Sequence, residues 1–299
     1  MDNITHTLVG AALAEAGLKR RTALASATLM IGANFPDIDV IAVPFGMGIE
    51  WRRGITHGFL ALAILPFALA WLMQSYDRRV RLRRNPDAAP ADYRQLVLLS
   101  TIAILTHPTL DFMNSYGMRW LMPFLNKWFY ADGLFIVDPW LLIALIVGVY
   151  WSRRSKWERP ARGALVFLLL YTVINLGITE LGRQAVHARY PGSRAMVAPQ
   201  PLPPWERQVV VEQGETYRFG AWAPGRDLQM SPTSIRKNDH LPAVAAARRD
   251  PSVRGYINWA RFPFYRVERD SAGTLVRMGD ARFTAVAGQG FGSARVRLP

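Results

Sequence analysis

The sequence predicts a mainly α membrane helical bundle, about six helices with the first two short, joined to a small β-rich C-terminal soluble domain. Three observations lead there. Apolar runs approaching the ~20 residues needed to cross a bilayer recur up to about residue 185. Arg and Lys cluster between these runs, the pattern of cytoplasmic loops. Beyond Arg189, Pro, Gly and Arg dominate, and short alternating runs replace the long ones. The expected organisation is a membrane-embedded domain over 1–189, a Pro-rich linker over 190–205 and a β-rich domain over 206–299.

Ile4–Leu18 and Thr22–Phe35 read as a short helical hairpin turning at Lys19-Arg20-Arg21. His57–Met73, Leu96–Met113, Leu134–Trp151 and Ala164–Leu181 are the clearest spans, ending in Trp, Tyr and Arg as interfacial helix ends do. A soluble all-α bundle is the competing reading, and several consecutive uncharged runs argue against it. The linker carries Pro199, Pro201, Pro203 and Pro204. After it, Gln208–Val211, Thr216–Trp222, Phe262–Val267 and Thr274–Met278 alternate and are bounded by Gly and Pro, which predicts strands.

Of the 299 residues, 51% are hydrophobic and 19% charged, below the roughly 25% charged of soluble domains. The net charge of +14 resides largely in Lys19-Arg20-Arg21, Arg78–Arg84 and Arg153-Arg154-Ser155-Lys156. The Arg residues of the tail form no helical stripe, so no nucleic-acid partner is expected. Placing all three clusters in the cytoplasm gives one consistent multi-pass inner-membrane topology, with Asp37 emerging outside and the C-terminal domain extracytoplasmic. The absence of cysteine excludes disulfides, thiolate metal sites and cysteine nucleophiles. No signal-peptide layout is read at the N-terminus, because Asp2 and His6 precede the apolar run.

Histidine and acidic residues are costly at membrane depth, so their presence there points to function. They occur at His6, Asp37, Asp39, His57, His107 and Asp111, with Asp132, Asp138 and Glu180 following. At ~1.5 Å rise per residue, His6 stands about 20 Å up one arm of the hairpin and Asp37 about 24 Å up the other. His57 opens the next helix at that level, and His107 and Asp111 share one helix face. Imidazoles and carboxylates gathered at one depth suit one or two divalent ions, zinc foremost. The expected ligands are His6, Asp37, His57, His107 and Asp111, with Asp138 as a further candidate. Asp39 is expected to orient a ligating His or act as general base, and Arg52 and Arg53 either to bind an anionic substrate or to snorkel at the interface. The bland readings stand beside these: Asp37 as a turn residue, Thr56 as a helix cap, Asp138 before Pro139 as an ordinary helix start.

The stretches Met1–Gly10, Asn34–Asp39, Arg53-Gly54-Ile55-Thr56-His57 and His107–Asp111 resemble the YdjM-type family of membrane-bound metal-dependent hydrolases, as do Asn114-Ser115-Tyr116-Gly117 and Asp132–Trp140. The resemblance covers residues 1–185. It departs where the family reads His-Arg-Gly-x-Thr-His-Ser and this chain has Arg52-Arg53-Gly54-Ile55-Thr56-His57-Gly58. More distantly, the order of His and Asp is similar to zinc-dependent phospholipases C and related nucleases. That likeness implies metal binding by His6, Asp37, His57, His107 and Asp111, with Asp138 or Glu180 in place of a later ligand group. The function implied is hydrolysis of a phosphoester or lipid-linked substrate by metal-activated water, with membrane lipids as partners. A metal or proton transporter and a non-enzymatic interaction protein are the alternatives.

Overall fold

Asp2 starts the first helix: its carboxylate accepts the Ile4 and Thr5 amides, satisfying donors that a helix N-terminus leaves open. Helix α1 (Asn3–Glu15) carries mostly small residues on its buried faces. At Gly10 an added Cβ would lie 2.5 Å from the Leu29 carbonyl oxygen, so α1 and α2 (Ala25–Gly32) touch backbone to backbone. The structure, a computed structural model, describes residues 1–45, 48–271 and 273–298. It divides into two units, Met1–Asp39 with Arg53–Leu176 and Val40–Arg52 with Gly177–Pro299.

In the first unit α2 is shorter than the expected Thr22–Phe35. Leu24 takes a left-handed conformation at its start, with φ 64°. At the other end Pro36 disfavours α geometry in the residue before it, and the chain tightens into 3-10 turns over Phe35–Phe45. Helices α3 (Phe59–Tyr76), α4 (Tyr93–Phe112), α5 (Pro139–Ser155) and α6 (Arg159–Arg189) match the four clearest predicted spans. Within this unit α2 packs between α1 and α4, α1 also packs on α5, and α3 packs on α4. Ala14, Ala25, Leu29, Leu99 and Ala103 form the core where α1, α2 and α4 meet.

Among the described residues, three segments are long and apolar enough to cross a membrane: Phe59–Arg84, Tyr93–Phe112 and Arg159–Arg189. Helix α5, at 17 residues, sits at the lower end of the roughly 17–25 that a span requires. The apolar windows of the first and last segments are only 22% and 17% buried. Ile64, Phe67 and Trp71 on α3 and Leu169, Val173 and Ile174 on α6 point away from the protein. Outward apolar faces of that extent are stable against hydrocarbon, not against water.

The second unit holds two antiparallel sheets. β1 (Ala195–Pro199), β2 (Arg207–Gln213), β3 (Thr216–Trp222) and β4 (Gln229–Arg236) pair in sequence order, as do β5 (Pro263–Asp270), β6 (Gly273–Asp280) and β7 (Ser293–Leu298). Met196, Ala198, Val210, Tyr217, Phe262 and Phe264 form the core they share. The stretch expected as a linker over 190–205 contains β1, whose Ala195–Pro199 pairs with Val211–Arg207. Its proline ends an edge strand, a position where the missing amide breaks no ladder bond.

Candidate metal centre

His107 and Asp111 lie one turn apart on α4 and are both buried. The 3-10 turn Ile55–His57 delivers His57, and the 3-10 run after Asn34 delivers Asp37 and Asp39. The hydrogen bonds around the two imidazoles define which nitrogen of each is open. His107 Nδ1 lies 2.6 Å from the Ala33 carbonyl oxygen, which can only accept, so Nδ1 carries the proton and donates. His57 Nδ1 lies 3.0 Å from Thr56 Oγ1 and 3.5 Å from Asp39 Oδ2. The carboxylate again selects the Nδ1–H tautomer.

With both imidazoles neutral, the two Nε2 atoms are lone-pair acceptors, and they face each other at 3.2 Å. Two lone pairs at that distance repel unless a cation lies between them. Two carboxylate oxygens complete the group. Asp37 Oδ1 is 3.5 Å from His57 Nε2 and 3.6 Å from His107 Nε2. Asp111 Oδ2 is 3.7 Å from His57 Nε2 and 3.5 Å from His107 Nε2. Four ligand atoms placed tetrahedrally about an ion at ~2.0–2.2 Å are separated by about 3.3–3.6 Å. The donor set fits: the buried group Asp37, His57, His107 and Asp111 could hold a metal ion, all four atoms lying within 4.8 Å of one another.

The surroundings support each member. Arg53 is buried, and its guanidinium donates to Asp111 Oδ1 at 2.8 Å, to Asn114 Oδ1 at 3.1 Å and to the Gly117 carbonyl at 3.1 Å. The same guanidinium stacks on Tyr116, 4.5 Å from the ring centroid. Its backbone amide donates to Asp39 Oδ2 at 2.8 Å. Arg53 adopts φ 50°, a left-handed conformation uncommon outside glycine, and these contacts on both sides hold it there. The Met1 amino group also donates to Asp111 Oδ1.

Of the residues singled out from sequence, the fold brings together Asp37, Asp39, Arg53, His57, His107 and Asp111. His6 adjoins them: its ring stacks on His107 at 3.9 Å and its Nε2 lies 3.3 Å from Asp111 Oδ1, so it touches the outer oxygen of that carboxylate. Asp138 stands outside the four-residue group. It caps α5 through the Trp140 and Leu141 amides and accepts the Tyr171 hydroxyl at 3.0 Å. Arg53, read from sequence as a substrate-binding cation, is turned inward onto Asp111. Sequence reasoning gave no role to Ala33, Asn114, Tyr116 or Gly117. The signals for the last three were their place beside the His107–Asp111 stretch and the family resemblance of Asn114-Ser115-Tyr116-Gly117.

Asp39 Oδ2, 3.5 Å from His57 Nδ1, stands where a carboxylate would orient the imidazole from behind. Asp39→Asn is expected to weaken metal binding by about 10- to 100-fold while leaving the far-ultraviolet dichroism unchanged. Competition against a metal-sensitive dye checks this, and unaltered affinity would remove Asp39 from the site.

A family model described as YdjM inner membrane protein matches residues 1–181. The chain is also similar to the uncharacterized protein YfhP of Bacillus subtilis (strain 168), 23% identical over 291 residues, which cover 91% of this chain and 83% of that protein. No solved structure matches it. The family match takes in α1 to α5 and every member of the buried His/Asp group, and the chain belongs to the YdjM inner membrane protein family.

Proposed function

We infer that the protein is a membrane-bound, metal-dependent hydrolase acting on a phosphoester or lipid-linked substrate. The observation that carries this reading is the pair of imidazole lone pairs at 3.2 Å, each with its Nδ1 held by an acceptor, closed by two carboxylate oxygens. His57, His107, Asp37 and Asp111 would hold the ion. A histidine whose second nitrogen donates to a carboxylate or carbonyl is the usual form of a metal-binding imidazole. Two nitrogens and two oxygens in this arrangement favour zinc, one ion per site.

Such an ion supplies an activated water near neutral pH and polarises an ester or phosphoryl oxygen. The chain's own groups organise that chemistry. Asp39 and the Ala33 carbonyl fix the two imidazole tautomers. Arg53 engages Asp111 Oδ1 and leaves Oδ2 directed at the nitrogens. The apolar outer faces of α3 and α6 favour a substrate that resides in the bilayer. With the three basic clusters cytoplasmic, the protein is multi-pass and its β-rich domain extracytoplasmic.

The test is release of phosphate or headgroup from detergent-dispersed phosphoesters by the purified full chain. Turnover should vanish on prolonged chelation and return with zinc. A metal-loaded protein that hydrolyses neither phosphoesters nor carboxylic esters contradicts the reading and favours a transporter.

A further inference from the structure

The first unit carries a second cluster of charged residues that the His/Asp group does not involve. Arg20, Lys156, Trp157, Glu158, Arg159 and Arg162 line a surface cavity of about 430 Å³. Four of the six are cations and one is a carboxylate. Glu158 organises the cavity by pairing with both Arg20 and Arg162. The Arg162 Nε–H also donates to the Ala16 carbonyl at 3.0 Å, which ties the start of α6 to the end of α1. The turn between α5 and α6 is held as well, since the Ala161 amide donates to the buried Ser152 hydroxyl at 2.9 Å. Lys156 and Arg159 have no ion-pair partner among the described residues. They are exposed cations on a frame fixed by other contacts.

The setting identifies the ligand. The cavity lies where α5 ends and α6 begins, next to the apolar window of a membrane-spanning segment. Trp157, 66% exposed, forms part of the wall, and Tyr150 and Trp151 are exposed on the last turns of α5. Exposed aromatic rings beside cations at the end of an apolar helix mark the headgroup level of a bilayer. A basic pocket at that level recognises an anionic headgroup.

We propose that this pocket binds the phosphate of an anionic bilayer phospholipid, with Lys156 and Arg159 as the contacting cations and Trp157 against the glycerol and upper acyl region. The proposal is independent of the metal centre. Glu158, by engaging Arg20 and Arg162, keeps the frame from repelling itself and leaves the two unpaired cations for the lipid.

Native mass spectrometry of the full chain in non-ionic detergent, with phosphatidylglycerol or phosphatidylcholine added, tests it. The wild type should retain phosphatidylglycerol about 10- to 30-fold better than phosphatidylcholine, the gain expected of two cations at a headgroup. Lys156→Gln with Arg159→Gln should abolish that preference. Both side chains are exposed, so the fold should survive, and an unchanged thermal midpoint in detergent verifies this. Arg83→Gln with Arg84→Gln removes the same charge from another basic cluster and should leave the preference intact. Equal loss in both double variants, or full retention in the first, would overturn the proposal. Displacement of the lipid by millimolar inorganic phosphate would also overturn it, since it would show a site for free phosphate.

Discussion

His107→Ala is expected to weaken metal binding by at least ~100-fold and to abolish hydrolysis under conditions where the wild type turns over. The magnitude follows from sharing the roughly 10–16 kcal/mol of a four-ligand site among its donors, so that one ligand carries about 3 kcal/mol. Loss at this position should exceed that of Asp39→Asn, because His107 Nε2 faces both carboxylate oxygens and the second imidazole. The substitution also empties a space that the His6 ring stacks against, so His107→Gln serves as the conservative companion. Both variants should retain helical dichroism. Wild-type affinity in either would remove His107 from the ion.

Arg53→Met is expected to lower stability by about 3–5 kcal/mol, the usual consequence of removing one partner from a buried, hydrogen-bonded ion pair. For a unit of this size that corresponds to a midpoint roughly 10 °C lower. The cause is specific. Asp111 Oδ1 loses a 2.8 Å donor, and the Asn114 side chain and Gly117 carbonyl lose theirs. Arg53→Lys should fall only part of the way back, because an ammonium cannot reproduce the fork that reaches Asp111, Asn114 and Gly117 together. Thermal unfolding in detergent, without substrate, measures both. A midpoint unchanged in Arg53→Met would return the residue to the role of anion binder, which its inward-facing contacts argue against.

The helical half was legible because its signals are long-range patterns. Uninterrupted apolar runs and the basic clusters between them survive errors of a few residues at each end. The shortening of α2 was legible in principle too, through Pro36, but the apolar run continues past it and masked the break. The strands missed from sequence, β1, β4 and β7, all lie at sheet edges. Edge strands face neighbours on one side only, so they tolerate Pro199 in β1, Ser231 and Pro232 in β4 and alternating Arg in β7, which weakens the pattern that marked β2, β3, β6 and the edge strand β5.

The metal group divides the same way. His57, His107, Asp37 and Asp111 stood out because charged and imidazole side chains are costly among apolar ones. Depth along the helices placed them at one level, and helix geometry placed His107 and Asp111 on one face. Depth alone does not tell a donor that faces its neighbours from one that caps a helix, and Asp138 turned out to do the latter. Nor does it give the direction of a side chain leaving a left-handed residue, which is why Arg53 points at Asp111 and not outward. The Ala33 carbonyl that selects the His107 tautomer is a backbone atom, and no side-chain pattern records it.

The account centres on two Nε2 atoms and two carboxylate oxygens that share one divalent ion. Elemental mass spectrometry of the detergent-purified full chain, after reconstitution with zinc, manganese or iron and removal of excess, tests that directly. One tightly held ion per chain, with zinc retained best, is the predicted result. Wild-type protein that retains none of these metals would contradict the account, and the buried imidazoles and carboxylates would then be a proton path or a hydrogen-bonded brace between the helices.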